Sequence, residues 1–467
     1  MILEDDRTAA RTGKFLASLR SGVSENVHQR AECDYKDLSK KFALQTKDYT
    51  KQFAHIYAIR LVRMREMITK RVRRKWGPDM PIRKLIDLKE EEHEKCVIIG
   101  TLFKHQELKP SILKEISEEN QLIPQPQRTQ FVDEHDQLIL EDEQQRIHLV
   151  GSIDVHSSVT GIVSAVLGRD TGSGRFEVED HCFASLPEPV ERPLPIQENR
   201  FIILISGLGL TNNADVLLPL QMFVDWVGGY LGDAGDQQRQ TQAVRVIIAG
   251  NSVRHMADHK APLLSNVHKI EVEDAIKGTK LLDDFLAQLA SFIDVDIMPG
   301  EFDPANHMLP QQPLHCCMFP QATQYETMHS VSNPYECEIG GRRILGTAGQ
   351  PVDDVARYSK LTDPLRILEQ TLEWAHLAPT CPDTLTGYPF YQEDPFIITD
   401  CPDIYFAGNQ SQFQTALYKG PEGQAVRLVC VPTFAKTYSC AVVNLANLDC
   451  YPLFFGAGDV SDCEVDN

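Results

Sequence analysis

Phe201 to Gly207 read FIILISG, an unbroken apolar run that closes on a serine and a glycine. The run is too short for a helix and has no polar face, as expected of a strand covered on both sides of a sheet. The arrangement returns in VRVIIAG (Val244 to Gly250), DVDIMPG (Asp294 to Gly300), RILG (Arg343 to Gly346) and DIYFAG (Asp403 to Gly408). Between the first three runs, Leu217 to Leu231 and Ile276 to Phe292 carry helical spacing. Covered strands ending in glycine turns, with helices between some of them, predict a layered α/β domain over 201–467. Further strands are predicted in QAVRLVCVP, CAVVNL and YPLFF, before the acidic end DVSDCEVDN.

On the N-terminal side, residues 186–200 carry four prolines, at 187, 189, 193 and 195. Such a stretch cannot continue a helix or a central strand, so it reads as the main linker. Before it, CVIIGTLF (Cys96 to Phe103) is a short apolar strand. Asp136 to Glu141 with Arg146 to Ile153, and Thr160 to Gly168 with Gly174 to Ala184, read as two hairpins. Five such strands suit a small OB-type barrel. A helix is expected at Ser111 to Glu119. Residues 48–76 place apolar side chains at three- and four-residue spacings up to Gly77-Pro78, which predicts a long helix. Helix and barrel together make a domain over 46–185. Residues 1–45 are polar and mixed in charge and read as a weakly structured arm, with one helix near residues 8–20.

The chain has 467 residues, 42% hydrophobic and 24% charged, an ordinary globular composition with ample material for a core. Its formal charge is −20, from 46 Lys+Arg against 66 Asp+Glu, which repels phosphate backbones at long range and disfavours a whole-surface nucleic-acid binder. One segment departs from this. Residues 51–84 hold eleven Lys or Arg, and Arg60, Arg63, Lys70, Arg71, Arg73, Arg74 and Lys75 form a candidate basic patch. The plainer reading is a solvated helix face whose long stems cover apolar neighbours; KRVRRK also has the make-up of a nuclear localisation run. The twelve cysteines contain no C-x-x-C, so reduced thiols are expected rather than a zinc or iron–sulfur site. The start, MILEDDRTAARTGK, lacks the apolar core of a secretory signal. No apolar run approaches the ~20 residues of a membrane span.

In layered α/β domains the chemistry sits just past the C-terminal ends of the strands. The turns there read SGLGL (Ser206 to Leu210), AGNS (Ala249 to Ser252), PGEFDP (Pro299 to Pro304), GTAGQ (Gly346 to Gln350) and AGNQS (Ala407 to Ser411). SGLGLTNN is not a dinucleotide loop, because Asn212 stands where the third glycine is needed. His255 and His259 have metal-pair spacing but no third ligand near them in sequence. Asp353 and Asp354 have no nucleophile beside them and read as helix N-terminal charges.

The order and placement of these turns resemble the calcineurin-type metallophosphoesterases, which implies an αββα domain. Active members carry D-x-H, G-D, G-N-H-D or G-N-H-E, a lone His and G-H-x-H, holding two metals that activate a water. Carried across, the first Asp and His positions fall on Gly207 and Gly209, and the G-D turn carries Asn251. The third motif reads Glu301-Phe302-Asp303 after Gly300. The lone-His position falls within Thr347 to Gln350, and the last motif puts Asn409 and Ser411 in the histidine positions. The resemblance therefore implies a fold kept without its ligands: no catalytic residue, no metal and no cofactor.

A small barrel ahead of a disarmed phosphoesterase domain is similar to the B-subunits of eukaryotic replicative DNA polymerases. The phrases YTKQFAHIYAIRL (49–61), GTLFK (100–104), QLILEDEQQRI (137–147), VDIMPGEFDP (295–304), LPQQPLH (309–315) and APTCPDTL (378–385) resemble the delta branch. This implies a nuclear, non-catalytic subunit acting in replication and repair. Its implied partners are the C-terminal metal-binding module of the delta catalytic chain and a further accessory subunit, with indirect contact to the sliding clamp, at most weak contact to DNA and none to membrane. Two alternatives stay open: a divergent metal-dependent phosphodiesterase or exonuclease, and a B-subunit of the alpha or epsilon branch.

Overall fold

The computed structural model describes residues 29–456, apart from 46, 89–93, 111–127, 173, 190–197, 212–213 and 255–264; the side chains of residues 265–272 are likewise outside the description. The helices expected near 8–20 and 111–119, Asn212, His255 with His259, and most of the proline-rich stretch lie outside the described residues.

The chain enters with β1 (Tyr35–Asp37) and runs on to helix α1 (Ala54–Trp76). Strands β2 (Ile82–Arg83), β3 (Cys96–His105), β4 (Gln137–Glu141), β5 (Arg146–Gly151), β6 (Val163–Asp170) and β7 (Arg175–Phe183) follow, ordered β2-β3-β4-β5-β7-β6. A further pairing of β3 with β6 closes β3 to β7 into a five-stranded barrel of OB order. Both expected hairpins form, β4–β5 and β6–β7, each antiparallel. Helix α1 lies on the barrel because Leu61, Met64, Ile68 and Val72 repeat at three to four residues and pack on Val97, Ile99, Val163 and Leu167. Each of these fully covered side chains contributes about 1.5–3 kcal/mol.

The second half is β8 (Phe201–Ile205), α2 (Leu217–Val227), α3 (Ala234–Gln240), β9 (Ala243–Ala249), α4 (Ser265–Ala290), β10 (Asp294–Met298) and β11 (Met328–Ser330). Then come β12 (Tyr335–Ile339), β13 (Arg342–Thr347), α5 (Gln350–Tyr358), α6 (Pro364–Glu373), β14 (Ile404–Gln410), β15 (Gln414–Lys419), β16 (Ala425–Pro432), α7 (Phe434–Thr437), β17 (Ser439–Asn444) and β18 (Cys450–Phe454). Two six-stranded sheets result, β11-β10-β9-β8-β17-β18 and β1-β12-β13-β14-β16-β15. They face one another through Ile202, Leu204 and Ile247 on one side and Cys337, Ile344, Phe406 and Val431 on the other. Helices α2 and α4 cover the outside of the first sheet. Helices α5 and α6 cover the second, which gives four layers, helix–sheet–sheet–helix.

The arm reading needs correction from residue 29 onward. β1 pairs antiparallel with β12 and becomes the edge of the second sheet. Arg245 stacks its guanidinium 3.9 Å from the centroid of the Tyr35 ring while holding the buried Asp296, which also accepts a 2.7 Å bond from the Tyr335 hydroxyl. Arg30 donates to the carbonyls of Val227, Gln240 and Ala243. Three residues, YKD, carry no alternation from which a strand could be read.

The two halves do not pack separately. One continuous apolar cluster runs from barrel residues Leu102, Leu140 and Phe176 to Val355, Leu368, Trp374 and Leu428 of the layered part. Polar ties cross the same seam. Lys104 of β3 is buried and donates to the Tyr358 carbonyl at the end of α5. Arg60, on α1, is fully buried against Asp394, with Nε 2.6 Å from Oδ2. Its remaining N–H groups donate to the carbonyls of Gly161, Pro379 and Cys381. Gly161 must be glycine: φ is +95°, and a Cβ there would sit 1.9 Å from the Pro379 oxygen.

His376 completes this buried group. Its Nε2–H donates to Asp394 Oδ2 at 3.0 Å, and its Nδ1 accepts from the Ala378 amide, so the ring is held neutral in one tautomer. Burial first, then the Arg60 charge, push its pKa down to about 4, against the opposing pull of Asp394. Below pH 6.5 the unfolded chain therefore takes up a proton that the folded one refuses. The stabilisation is complete above pH 6.5 and is lost as pH falls towards 4, roughly 3 kcal/mol in all. Denaturant titrations of the chain and of His376→Gln, which keeps a donor but cannot titrate, should show their stability difference shifting by about 2.5 kcal/mol between pH 7 and 4.5. A pH-independent difference would contradict the neutral-ring assignment.

Candidate functional site

The five glycine turns converge, as their positions after the strands require. β8, β9 and β10 end on one sheet, β13 and β14 on the other, and all five ends meet at one rim. The first two turns zip together: the Gly207 amide donates to the Gly250 carbonyl, Gly209 to Asn251, Leu210 to Ser252 and Thr211 to Val253. At the crossing of the sheets the turns touch directly. A Cβ on Gly250 would lie 2.7 Å from both Gly300 Cα and Ala348 Cβ.

Carboxamides hold this rim together. Asn409 donates from Nδ2 to the carbonyl of Ala249 on one sheet and to that of Ala348 beside the other, at 3.0 and 2.8 Å. Its own amide donates to Ser206 Oγ. Asn251 accepts from the Phe302 amide at 3.1 Å. Deeper, Gln311 Oε1 accepts from both Asn333 Nδ2 and Gln350 Nε2, and Gln311 Nε2 donates to the carbonyls of Gly300 and Asn306. Asn333 Oδ1 accepts from the Ala348 amide. A neutral side chain that both donates and accepts satisfies these converging turn groups without bringing charge into a covered space.

Asp303 is buried and engaged. Its carboxylate accepts from the amides of Val253 at 2.8 Å and Gly300 at 2.9 Å, tying the third turn to the second. Burial raises its pKa, and the backbone donors oppose that. Outside it a polar recess of about 80 Å³ remains, lined by Glu301, Phe302, Asp353, Arg357 and Lys436 among others. The Asp353–Asp354 pair divides. Asp353 lines the recess in the first turn of α5, while Asp354 is buried and accepts from Thr384 Oγ1 at 2.6 Å, so the two carboxylates do not share a site. Ser411 lies on the exposed surface after β14, and the neighbouring Gln410 is the residue the turn uses, donating to the Gly408 carbonyl. Among the described residues no three His, Cys, Asp or Glu side chains are placed to hold a metal ion. Thr433, Lys436, Gln311 and Asn333 belong to this rim and its surroundings and carry no motif by which sequence reasoning could find them.

The candidate basic patch also needs correction. Arg60 is not on the surface at all but in the buried group described above. Arg71 and Arg74 pair with Glu422, Arg74 also with Glu188, and Lys75 with Asp180. Arg63, Lys70 and Arg73 are exposed. Most of the positive charge therefore ties α1 to its surroundings rather than forming a continuous cationic face.

A closed five-stranded barrel packed on a four-layered domain, with strand-end turns stitched by carboxamides, falls in the class of replicative polymerase B-subunits. The family profile of the alpha and epsilon DNA polymerase B-subunits matches residues 202–415, and one described as "DNA polymerase delta subunit OB-fold domain" matches residues 52–181. The chain is 45% identical to "DNA polymerase delta subunit 2" of Drosophila melanogaster, over 90% of this chain and 97% of the relative. It is 42% identical to "DNA polymerase delta small subunit" of Arabidopsis thaliana, over 92% of this chain and 98% of the relative. It is 24% identical to "DNA polymerase II small subunit" of Pyrococcus abyssi, over 61% of this chain and 45% of that protein. The chain belongs to the DNA polymerase delta small-subunit family, accessory subunits of the replicative polymerase.

Proposed function

We propose that this chain is a purely architectural subunit of the polymerase delta holoenzyme, acting in the nucleus. It joins the C-terminal metal-binding module of the catalytic chain to a further accessory subunit. Its layered half is read as a calcineurin-type phosphoesterase domain that has lost its metals and kept its shape. The observation that carries this reading is the carboxamide-stitched rim. Two divalent ions need several imidazoles and carboxylates aimed at one point. Here the Asp303 carboxylate is taken by backbone amides and the Asn409 amide by carbonyls. These residues do not fit a bimetallic centre. Surface shape survives the loss of a metal site, and a permanent hetero-complex of this kind buries ~2,000 Å² or more. Among the described residues no helix is long and apolar enough to cross a membrane.

Two measurements test the reading. Capture with the isolated C-terminal tails of the delta, alpha and epsilon catalytic chains should recover this subunit on the delta tail, and preference for another tail would refute the assignment. Manganese titrated into the purified chain should show no stoichiometric uptake and no nuclease activity, and chelator should leave the thermal midpoint unchanged. Uptake of two ions with nuclease activity lost in Asp303→Ala would replace the architectural reading with the enzymatic one.

A further inference from the structure

Away from the strand-end rim, an apolar groove of about 470 Å³ runs between α1 and the barrel. Its helix wall is Ala54, Tyr57, Ala58 and Leu61, spaced i, i+3, i+4, i+7 on one face of α1. Its barrel wall is built by β3, with Thr101 and Phe103. Ala54 and Ala58 are exposed, and small side chains there leave the helix flank open. One turn beyond Ala58, Val62 continues the same flank and is 52% exposed. From residue 54 to residue 61 the helix wall is about 10 Å long, matching two turns of a partner helix.

The rim is acidic. Glu141, Asp142, Glu143 and Asp383 all border the groove. Glu143 holds Arg65, and Asp383 holds Lys109 at 2.6 Å. Asp142 accepts from the backbone amides of Leu85, Gln144 and Gln145, which leaves its charge unneutralised. Glu141 has no ion-pair partner among the described residues. Four carboxylates against Arg65, Lys109 and the Lys84 charge near Glu143 still leave the rim net negative, on a chain whose formal charge is −20. A phosphate backbone is repelled by such a rim. A peptide with apolar anchors and flanking lysines or arginines matches both floor and rim.

We propose that the groove between α1 and β3 is the docking site for a basic amphipathic helix of a protein partner. The inference deepens the architectural reading and rests on it, because it names the chemistry of one segment that such a subunit would hold. The probe is a fluorescein-labelled synthetic helix of fourteen residues, with leucines at i, i+3, i+4 and i+7 and lysines elsewhere, titrated into the full-length chain. Ala58→Arg, which fills the groove at an exposed position, and Glu141→Lys, which reverses the rim, should each weaken binding by about tenfold or more. Tyr230→Ser, at an exposed site outside the groove, should leave it unchanged. Equal binding of the same peptide with glutamates in place of lysines, or full affinity in Ala58→Arg, overturns the proposal. Ultraviolet crosslinking from benzoylphenylalanine placed at position 58 in the assembled holoenzyme provides a second reading. A basic, apolar helical segment in the crosslink supports the proposal; an acidic segment, nucleic acid or no crosslink refutes it. Recovery on the delta tail is scored in parallel. A chain that keeps the tail but shows no groove-dependent peptide binding sinks this inference alone, whereas a chain that fails to recover the tail sinks the architectural reading.

Discussion

Arg60→Met is expected to destabilise the chain by about 3–5 kcal/mol, the range for removing one partner of a buried ion pair. Methionine fills much of the same volume, so the loss does not come from a cavity. It comes from what is left behind. Asp394 remains buried with no cation beside it, only the neutral His376 ring and the Phe396 amide as partners, and the carbonyls of Gly161, Pro379 and Cys381 lose the Arg60 donors. At present Arg60 and His376 together outweigh burial and hold the Asp394 carboxyl well below the usual carboxylate range. Without Arg60 the cheapest repair is to protonate His376, whose pKa the Arg60 charge now depresses. The variant's deficit should therefore shrink as pH falls from 7 to 5, where a charged His376 can stand in for the missing guanidinium. Urea titrations at the two pH values measure both effects. A deficit below about 1 kcal/mol, or one that grows on acidification, would mean that the seam between barrel and layered half does not depend on this group. Arg60→Lys should rescue little, because one ammonium cannot reach the carboxylate and three carbonyls at once.

Arg60 also shows how far the sequence can be read. Ile56, Arg60, Met64, Ile68 and Val72 repeat every four residues, so position 60 lies on the covered stripe of α1. That spacing was legible. Counting arginines by composition put Arg60 in a surface patch, whereas its periodicity assigns it to the interior. The barrel hairpins and the five strands before the glycine turns were legible for the opposite reason, since apolar runs and turn residues act locally. Strands β1, β12 and β15 and helix α6 were not read as elements. β1 is only three residues, and β15 lies at a sheet edge where four of its six side chains are half-buried, which blurs the period of two. The place of the site was legible because strand-end turns must converge. Its substance was not, because Gln311, Asn333 and Gln350 are far apart in sequence and carboxamides have no motif. The resemblance pointed to missing ligands. The structure adds the amides that bind the same turns together.

The strongest consequence of that closure concerns Gly207, where the resemblance would put the first motif's aspartate. Its φ is +64°, and a Cβ there would meet Asn409 Oδ1 and Thr433 Cγ2 at 2.7 Å each, with Thr433 Cα at 3.2 Å. The turn cannot swing aside, since its amide is held by Gly250 and its carbonyl by Ala435. Gly207→Ala adds left-handed strain, about 1–2 kcal/mol, and the cost of forcing one carbon against backbone. Gly207→Asp adds a carboxylate facing Asn409 Oδ1, an acceptor that already lacks a donor. The expected loss is at least about 3 kcal/mol, larger than for alanine, with no gain in manganese binding. If the rim were an active-type crevice with room for ligands, an aspartate at position 207 would be tolerated, and added manganese would raise the variant's thermal midpoint. Denaturation with and without manganese on the two variants separates these outcomes. A stable Gly207→Asp chain that is further stabilised by manganese would show that the crevice can still open to hold ions, whereas a graded loss from glycine to alanine to aspartate, indifferent to metal, is what a rim closed by Asn409 and Thr433 requires.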